Sequence, residues 1–562
     1  MKPFSKGPTL VIGSAPSPKP LEPVPYEQQI LGCGIVRTVR PDQRPPGSRI
    51  MTSSVPGQRQ RRRTIITHGS LAAREIQLAA ARDKQHGCQV MTIAHVAARL
   101  AGGFLTPVDN EALRRAVNVA LLSTNPGELT KLRGMPGAAT AVMATLNKLW
   151  LAGIDLANYQ TATEADRQRI SDIRILLEAT RFQLPANMLT PPDLVERALG
   201  RLTHAPRVFG SLQVRGTLDF SPVWRPLLVQ LASHVEVSWT VLGENQPGWL
   251  AGTAIKLNQM SEESPEVRLV SAATAYDEVL EAFRWMRELL ASGAAEPQQL
   301  AIAGTNLDDY DSYMLALRDD SSLPLHFVHG IPVTTTRAGQ TAAALADALA
   351  RGPSQERIRR LAFLVGRNGG LLSALPEDWT KVLSVASPLD RPEAWERFLN
   401  HLAEDDWRGQ DDAINTLRRV VTILNSGLKA AEEAGETFLT GLARQVWRQA
   451  LADGPSATID QTLAQMRQAD DSDPTTSAVW LAASQLTAAP RAHVCLLGLN
   501  SGAWPRSSAE DPLLPNHVIP TGMLDPIPTT FLDRAHFRTI IRTTPSQVVL
   551  SHARHGSEGR LL

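Results

Sequence analysis

Apolar and polar positions divide the chain into alternating blocks with the periods of strands and helices. The β-rich run 64–70 stops at a glycine, and the apolar spacing of 71–84 predicts a helix that Gly87 caps. A second β-rich run occupies 88–93. Strand, tight turn, helix and strand in this order predict the opening βαβ unit of a parallel sheet.

The same two periods recur along the rest of the chain. Residues 109–202 and 340–482 carry the i, i+3, i+4 apolar spacing of amphipathic helices, almost without interruption. Between and after these blocks, strand-like or strand–helix runs are predicted at 207–214, 234–243, 267–293, 299–303, 492–500 and 547–552. Alternating strand and helix units predict an α/β protein with doubly wound parallel sheets.

The order of the blocks predicts two α/β domains, each interrupted by a helical insertion. The predicted segments are a tail at 1–62, a first sheet domain at 63–108 and 203–262 with its insertion at 109–202, and a second sheet domain at 263–339 and 483–562 with its insertion at 340–482. We expect the tail to be disordered, because its proline-rich composition buries too little apolar surface to offset the entropy of ordering.

Composition adds limits rather than a function. With 57 basic and 56 acidic residues the net charge is +1, so any basic track for nucleic acid must be local. The three cysteines lie far apart, which excludes a disulfide framework and a cysteine-rich metal or iron–sulfur site within the chain. They favour a reducing cytosol, and no apolar run is long enough for a membrane span. We therefore expect a cytoplasmic protein without a membrane partner.

The tail ends in a basic run that includes Arg61, Arg62 and Arg63. Such a run is a candidate for contact with DNA phosphates. A solvated linker is the alternative, as is a true start of the protein at Met51.

The turn at His68, Gly69 and Ser70 lies where a P-loop would follow the first strand. A P-loop needs a glycine-rich cradle, a lysine for the β- and γ-phosphates and a hydroxyl for Mg²⁺. This turn is too short and lacks the lysine, and no GxxxxGK[ST] occurs in the 562 residues. An anion pocket of backbone amides at the helix start stays open, but ATP hydrolysis is not expected.

A second degenerate position follows the strand that ends at Val214. When the helicase pattern Val-Asp-Glu-x-x-Asp is laid on this stretch, Arg215 and Gly216 replace the acidic pair and only Asp219 remains. A cation in place of a metal ligand would repel Mg²⁺. The alternative is that the two stretches are unrelated surface turns.

The C-terminal part of the chain carries the most specific motif. It is the run 493–505 followed by 511–515, whose marked residues are Gly498, Leu499, Asn500, Trp504, Pro505 and Asp511. This run resembles the second RecA-like domain of AddB/RexB-type helicase–exonuclease subunits, which belong to the PD-(D/E)XK nuclease family. Weaker likenesses in the same order extend the resemblance over roughly 64–562.

The resemblance implies two RecA-like domains that form an inactivated superfamily 1 helicase core. It implies a subunit that binds DNA ends with a single-stranded tail and works with an AddA-type helicase–nuclease in recombinational repair of double-strand breaks. The family's nuclease domain would follow Gly559 and Arg560, where this sequence stops, so we expect no nuclease site and no cofactor in this chain. An active DNA-dependent ATPase or helicase, and a scaffold or non-functional remnant of a truncated or split gene, are the alternatives.

Overall fold

A computed structural model describes residues 62–561, apart from 136, 162, 243–245, 367–369, 378, 384–388 and 557–560. The predicted disordered tail lies outside the described residues except for Arg62, and so do Arg61, Gly559 and Arg560.

The strands, in chain order, are β1 (Arg63–Ile66), β2 (Cys88–Met91), β3 (Thr106–Pro107), β4 (Met188–Leu189), β5 (Ser211–Val214), β6 (Val237–Val241), β7 (Lys256–Gln259), β8 (Glu266–Ala272), β9 (Leu300–Gly304), β10 (Leu325–Phe327), β11 (Ile331–Pro332), β12 (Arg467–Gln468), β13 (Ala478–Ala482), β14 (His493–Leu496) and β15 (Gln547–Ala553). The helices are α1 (Ser70–Arg82), α2 (Ile93–Ala101), α3 (Asn110–Ser123), α4 (Ala138–Ala152), α5 (Glu164–Gln183), α6 (Pro191–Leu199), α7 (Ala205–Phe209), α8 (Arg225–Leu231), α9 (Ala275–Ala291), α10 (Asp308–Ser321), α11 (Arg337–Arg351), α12 (Gln355–Val365), α13 (Pro392–Glu404), α14 (Asp411–Asn425), α15 (Ala431–Phe438), α16 (Gly441–Asp453), α17 (Ile459–Gln465), α18 (Ala483–Leu486), α19 (Thr521–Leu524) and α20 (Thr529–Thr543).

Two parallel sheets organise these elements, which confirms the predicted α/β class. The first sheet has five strands in the order β2-β1-β5-β6-β7. The second has six strands in the order β10-β13-β9-β14-β15-β8. Strand β9 (LAIAG) is buried along its whole length, as expected where both faces of a parallel sheet are covered.

Helical blocks with their own apolar cores accompany the sheets. Helices α3, α4 and α5 surround a core that includes Leu146 and Leu176, and α11 to α17 surround one that includes Trp395 and Trp447. None of the helices within the described ranges is long and apolar enough to cross a lipid bilayer.

Three local predictions were wrong. Helix α1 is capped at Asp83, and Gly87, with φ of +77°, instead precedes β2. The run 207–214 begins as the end of helix α7, because Gly210 separates that helix from β5. The range 340–482 ends with β13, a central strand of the second sheet, since a five-residue apolar run such as AVWLA has no period that separates strand from helix.

Candidate functional site

The carboxyl ends of β1 and β5 meet where the strand order of the first sheet reverses. The chain leaves β1 for β2 on one side and later reaches β5 on the other side. Ligands of open parallel sheets bind in the crevice outside such a reversal. Turn 68–70 follows β1 and turn 215–219 follows β5, so the structure brings both predicted degenerate positions to this crevice.

Residues of a segment that follows β13 in the second sheet fill the crevice. The His68 Nε2 lies 2.6 Å from the carbonyl oxygen of Ser484, and the Thr487 hydroxyl donates to the carbonyl oxygen of Gly216 at 3.2 Å. A Cβ on Gly216 would lie only 2.3 Å from the Cα of Ala488. The cavity that remains there is about 10 Å³, which is room for about one water molecule. The crevice is therefore closed by protein.

Two partly buried histidines lie at this junction. Burial lowers the pKa of His68, although its hydrogen bond to Ser484 acts in the opposite direction. Burial and the nearby His68 lower the pKa of His536, on α20, to about 4. Both imidazoles are therefore mainly neutral at pH 7, and acidification adds positive charge at this junction.

Asp219 is the acid that remains at the degenerate metal position, and its carboxylate contacts neighbouring residues of the first sheet domain. Its carboxylate accepts hydrogen bonds from the Trp249 indole at 2.8 Å and the Phe220 amide at 2.6 Å, and it pairs with Arg225 at 3.3 Å. These contacts fix the turn that leads into α8. Arg215 is exposed, and its amide donates to the carbonyl oxygen of Ile66.

An open groove lies on the other side of β1. Its cavity is about 900 Å³, and its walls are the start of α1, the end of β2, helix α2 and the loop 102–105. The polar, charged and aromatic residues that line it are Thr67, Ser70, Thr92, His95, Arg99 and Phe104. The groove is thus an accessible site at the carboxyl ends of two neighbouring strands.

Phe104 is the most exposed aromatic residue of the groove. Its side chain is 98% exposed and its φ is +59°, in the left-handed region that a phenylalanine rarely adopts. Holding such a conformation costs about 1 kcal/mol or more, which the surrounding structure must offset. An aromatic face presented to solvent in this way can stack on a nucleic-acid base.

Two arginines bring positive charge to the same groove. Arg99 is exposed on α2, and the Arg201 guanidinium carbon lies 3.2 Å from the position of a Cβ on Gly102. The groove was not predicted from the sequence, because the Gly-Gly-Phe turn has no periodicity. An aromatic residue directly after two glycines was the available signal.

Two arginines of the basic run, Arg62 just before β1 and Arg63 at its start, form hydrogen bonds within the protein. The Arg62 guanidinium donates to the carbonyl oxygen of Arg207 at 2.7 Å, and the Arg63 guanidinium donates to the Gln85 side chain at 2.7 Å. These hydrogen bonds attach the start of β1 to its neighbours.

The family-like motif after β14 forms a network that joins three elements. The Gly498 amide and the Ser551 hydroxyl donate to the fully buried carboxylate of Glu278 on α9, at 3.3 and 2.8 Å. The Leu499 amide donates to the carbonyl oxygen of Ser551, and the Asn500 side-chain amide donates to that of Ala553 at 2.6 Å. The turn thus fastens the ends of β14 and β15 to α9.

The rest of the motif contacts α20 and α4. Trp504, which precedes Pro505, is buried and its indole donates to the carbonyl oxygen of Asp533 at 3.3 Å. Asp511 is 3% exposed and accepts a hydrogen bond from the Thr145 hydroxyl of α4 at 2.8 Å. In this structure the motif residues therefore hold elements together.

No model of a known protein family and no curated protein matches this chain.

Proposed function

We propose that this chain is a DNA-binding, helicase-like subunit without a working ATP site, which acts on the ends of double-strand breaks in recombinational repair. The proposal combines the resemblance of 493–515 to AddB-type subunits with the arrangement around β1. Its partners would be DNA ends with a single-stranded tail and an AddA-type helicase–nuclease. Its place would be the cytoplasm.

The observation that carries the proposal is the exposed Phe104 in a groove edged by Arg99 and Arg201. Proteins bind single strands by combining stacking aromatics with cations that follow the phosphates. A local cluster suits a chain whose net charge of +1 gives no general attraction to DNA.

The closed crevice supports the proposal that the chain has no working ATP site. Catalysis of phosphoryl transfer depends on positioned phosphates and metal ions. The crevice has about 10 Å³ of free space, its turn lacks a lysine, and Asp219 pairs with Arg225. These features favour a chain that uses its groove without hydrolysing ATP, over an active ATPase.

The test is binding of a fluorescent single-stranded oligonucleotide to the Phe104→Ala variant. Losing one stacking contact is worth about 1–3 kcal/mol, so we expect the Kd to rise by about 5- to 150-fold. Phe182→Ala is the matched control, because Phe182 is 86% exposed on α5 and does not line the groove. Equal Kd values for the two variants would refute the groove as the DNA site.

A further inference from the structure

We infer that the α1 end of the groove holds a phosphate group of the bound DNA strand, an inference that rests on the proposed function. Helix α1 has 13 residues and starts at Ser70, directly after Gly69 with φ of +83°. No side chain among the described residues caps its first amides. The first amides of a helix lack partners within it and carry the positive end of its dipole, which favours an anion.

Thr67 supplies an independent indication of a ligand. It lines the groove beside Gly69 and Ser70, it is 3% exposed, and its hydroxyl has no hydrogen-bond partner among the described residues. Buried hydroxyls are nearly always paired, since an unpaired one loses its hydration without compensation. A phosphate oxygen at the start of α1 would give this hydroxyl an acceptor.

The surroundings favour a strand phosphate over a nucleotide. On the β5 side of the turn, Ala488 and Ser484 close the crevice that a nucleotide would need. On the β2 side, the same helix start opens into the groove that contains Arg99 and Phe104. A strand in this groove would place a phosphate at the amides of α1 while a base stacks on Phe104. The turn between β1 and α1, which binds ATP phosphates in a helicase with a P-loop, would then bind a DNA phosphate.

Two variants test the anion site without touching Phe104. Thr67→Val removes the hydroxyl but keeps the side-chain shape. Ser70→Pro removes the first amide donor of α1 at a position where proline fits a helix, and Ser70→Ala is its control for the lost side chain. We expect Thr67→Val to raise the Kd for the oligonucleotide about tenfold relative to wild type. We expect Ser70→Pro to raise it about tenfold relative to Ser70→Ala, a comparison that separates the lost amide from the lost hydroxyl.

Thermal unfolding distinguishes this role from a structural one. The Thr67 hydroxyl makes no hydrogen bond in the described structure, so Thr67→Val should keep or raise the Tm of the free protein. A lower Tm, with the Kd for the oligonucleotide unchanged, would overturn the inference.

The source of the phosphate is decided by competition and by end chemistry. An oligonucleotide with a 5′-phosphate that binds more tightly than its 5′-hydroxyl form identifies a terminal phosphate, and equal binding identifies an internal one. Inorganic phosphate should compete with the oligonucleotide for binding to wild-type protein, and it should compete less or not at all for binding to Thr67→Val.

Oligonucleotide binding by the wild-type protein and its variants distinguishes a wrong phosphate site from a wrong proposed function. If wild-type protein binds DNA and responds to Phe104→Ala, but Thr67→Val and Ser70→Pro bind like wild type, only the phosphate site is overturned. If wild-type protein does not bind the oligonucleotide at all, the proposed function falls and the inference falls with it.

Discussion

At the residue scale, Gly216 controls how closely the walls of the crevice approach. Its φ is +69°, and a Cβ would meet the backbone of Ala488 rather than the end of a flexible side chain. Gly252 has a similar φ of +76° but nothing within 4 Å of its Cβ position. Alanine at Gly252 would therefore add only backbone strain, whereas alanine at Gly216 would add the same strain and a clash across the crevice.

We predict that Gly216→Ala lowers the free energy of unfolding more than Gly252→Ala does. Both variants force alanine into the left-handed region, at about 1–2 kcal/mol, and only Gly216→Ala adds overpacking of about 1–3 kcal/mol. Urea denaturation measures the difference. Equal losses would mean that the crevice walls are not in contact in solution.

Arg99 should act on DNA through charge alone. Each phosphate contact with a single strand contributes about 0.7 to the slope of log K against log salt. We predict that Arg99→Gln reduces the slope by about this amount, measured by anisotropy between low and moderate salt. Arg82→Gln, on the last turn of α1, is the control and should leave the slope unchanged.

At the element scale, the segment 511–524 attaches to the helical block of α3 to α5. Leu514 and Ile519 are buried in the core of that block. Asp511 fixes the start of the segment, because its carboxylate accepts the amides of Leu513 and Leu514 at 3.0 and 3.1 Å and pairs with Lys148 at 3.5 Å. A link of this kind joins residues that are far apart in sequence.

We predict that Asp511→Ala lowers the free energy of unfolding by about 3 kcal/mol, because it leaves the buried amides of Leu513 and Leu514 and the Thr145 hydroxyl without an acceptor. Asp525→Ala is the control. Asp525 pairs with the same Lys148 at 3.0 Å but is 29% exposed, so its loss should cost about 1 kcal/mol or less. Chemical denaturation compares the two, and equal costs would contradict the proposed role of Asp511.

Local elements were predictable and distant contacts were not. The β1–α1–β2 unit follows from periods and glycines within 64–93, and the structure confirms it to within a few residues. The two degenerate turns were found because each follows a strand end. The closure of the crevice was not predictable, since His68 meets Ser484 across 416 positions and no local pattern indicates that contact.

At the scale of the whole molecule, the turn after β1 contacts the segment after β13 through His68, and the partly buried His536 lies near His68. The pKa of His536 is about 4 in the folded chain and about 6.5 when unfolded, so the unfolded chain binds more protons between these values. The stability that neutral His536 contributes is present above pH 6.5 and is lost as the pH falls towards 4.

We predict that acidification from pH 7 to 4 lowers the free energy of unfolding by about 3 kcal/mol more in wild type than in His536→Gln. Urea denaturation across this range measures it. Because carboxylates titrate in both proteins, the difference between them isolates the histidine. Parallel pH profiles would show that the folded structure does not lower the pKa of His536.

The most direct measurement is fluorescence anisotropy of the wild-type chain with a duplex that has a single-stranded tail and with a blunt duplex, across a salt titration. We predict tight binding that weakens steeply with salt, prefers the tailed end and needs no ATP, because the proposed strand site is the open groove and the crevice is closed. No binding even at low salt, or equal binding to the blunt duplex, would contradict DNA-end recognition by this chain.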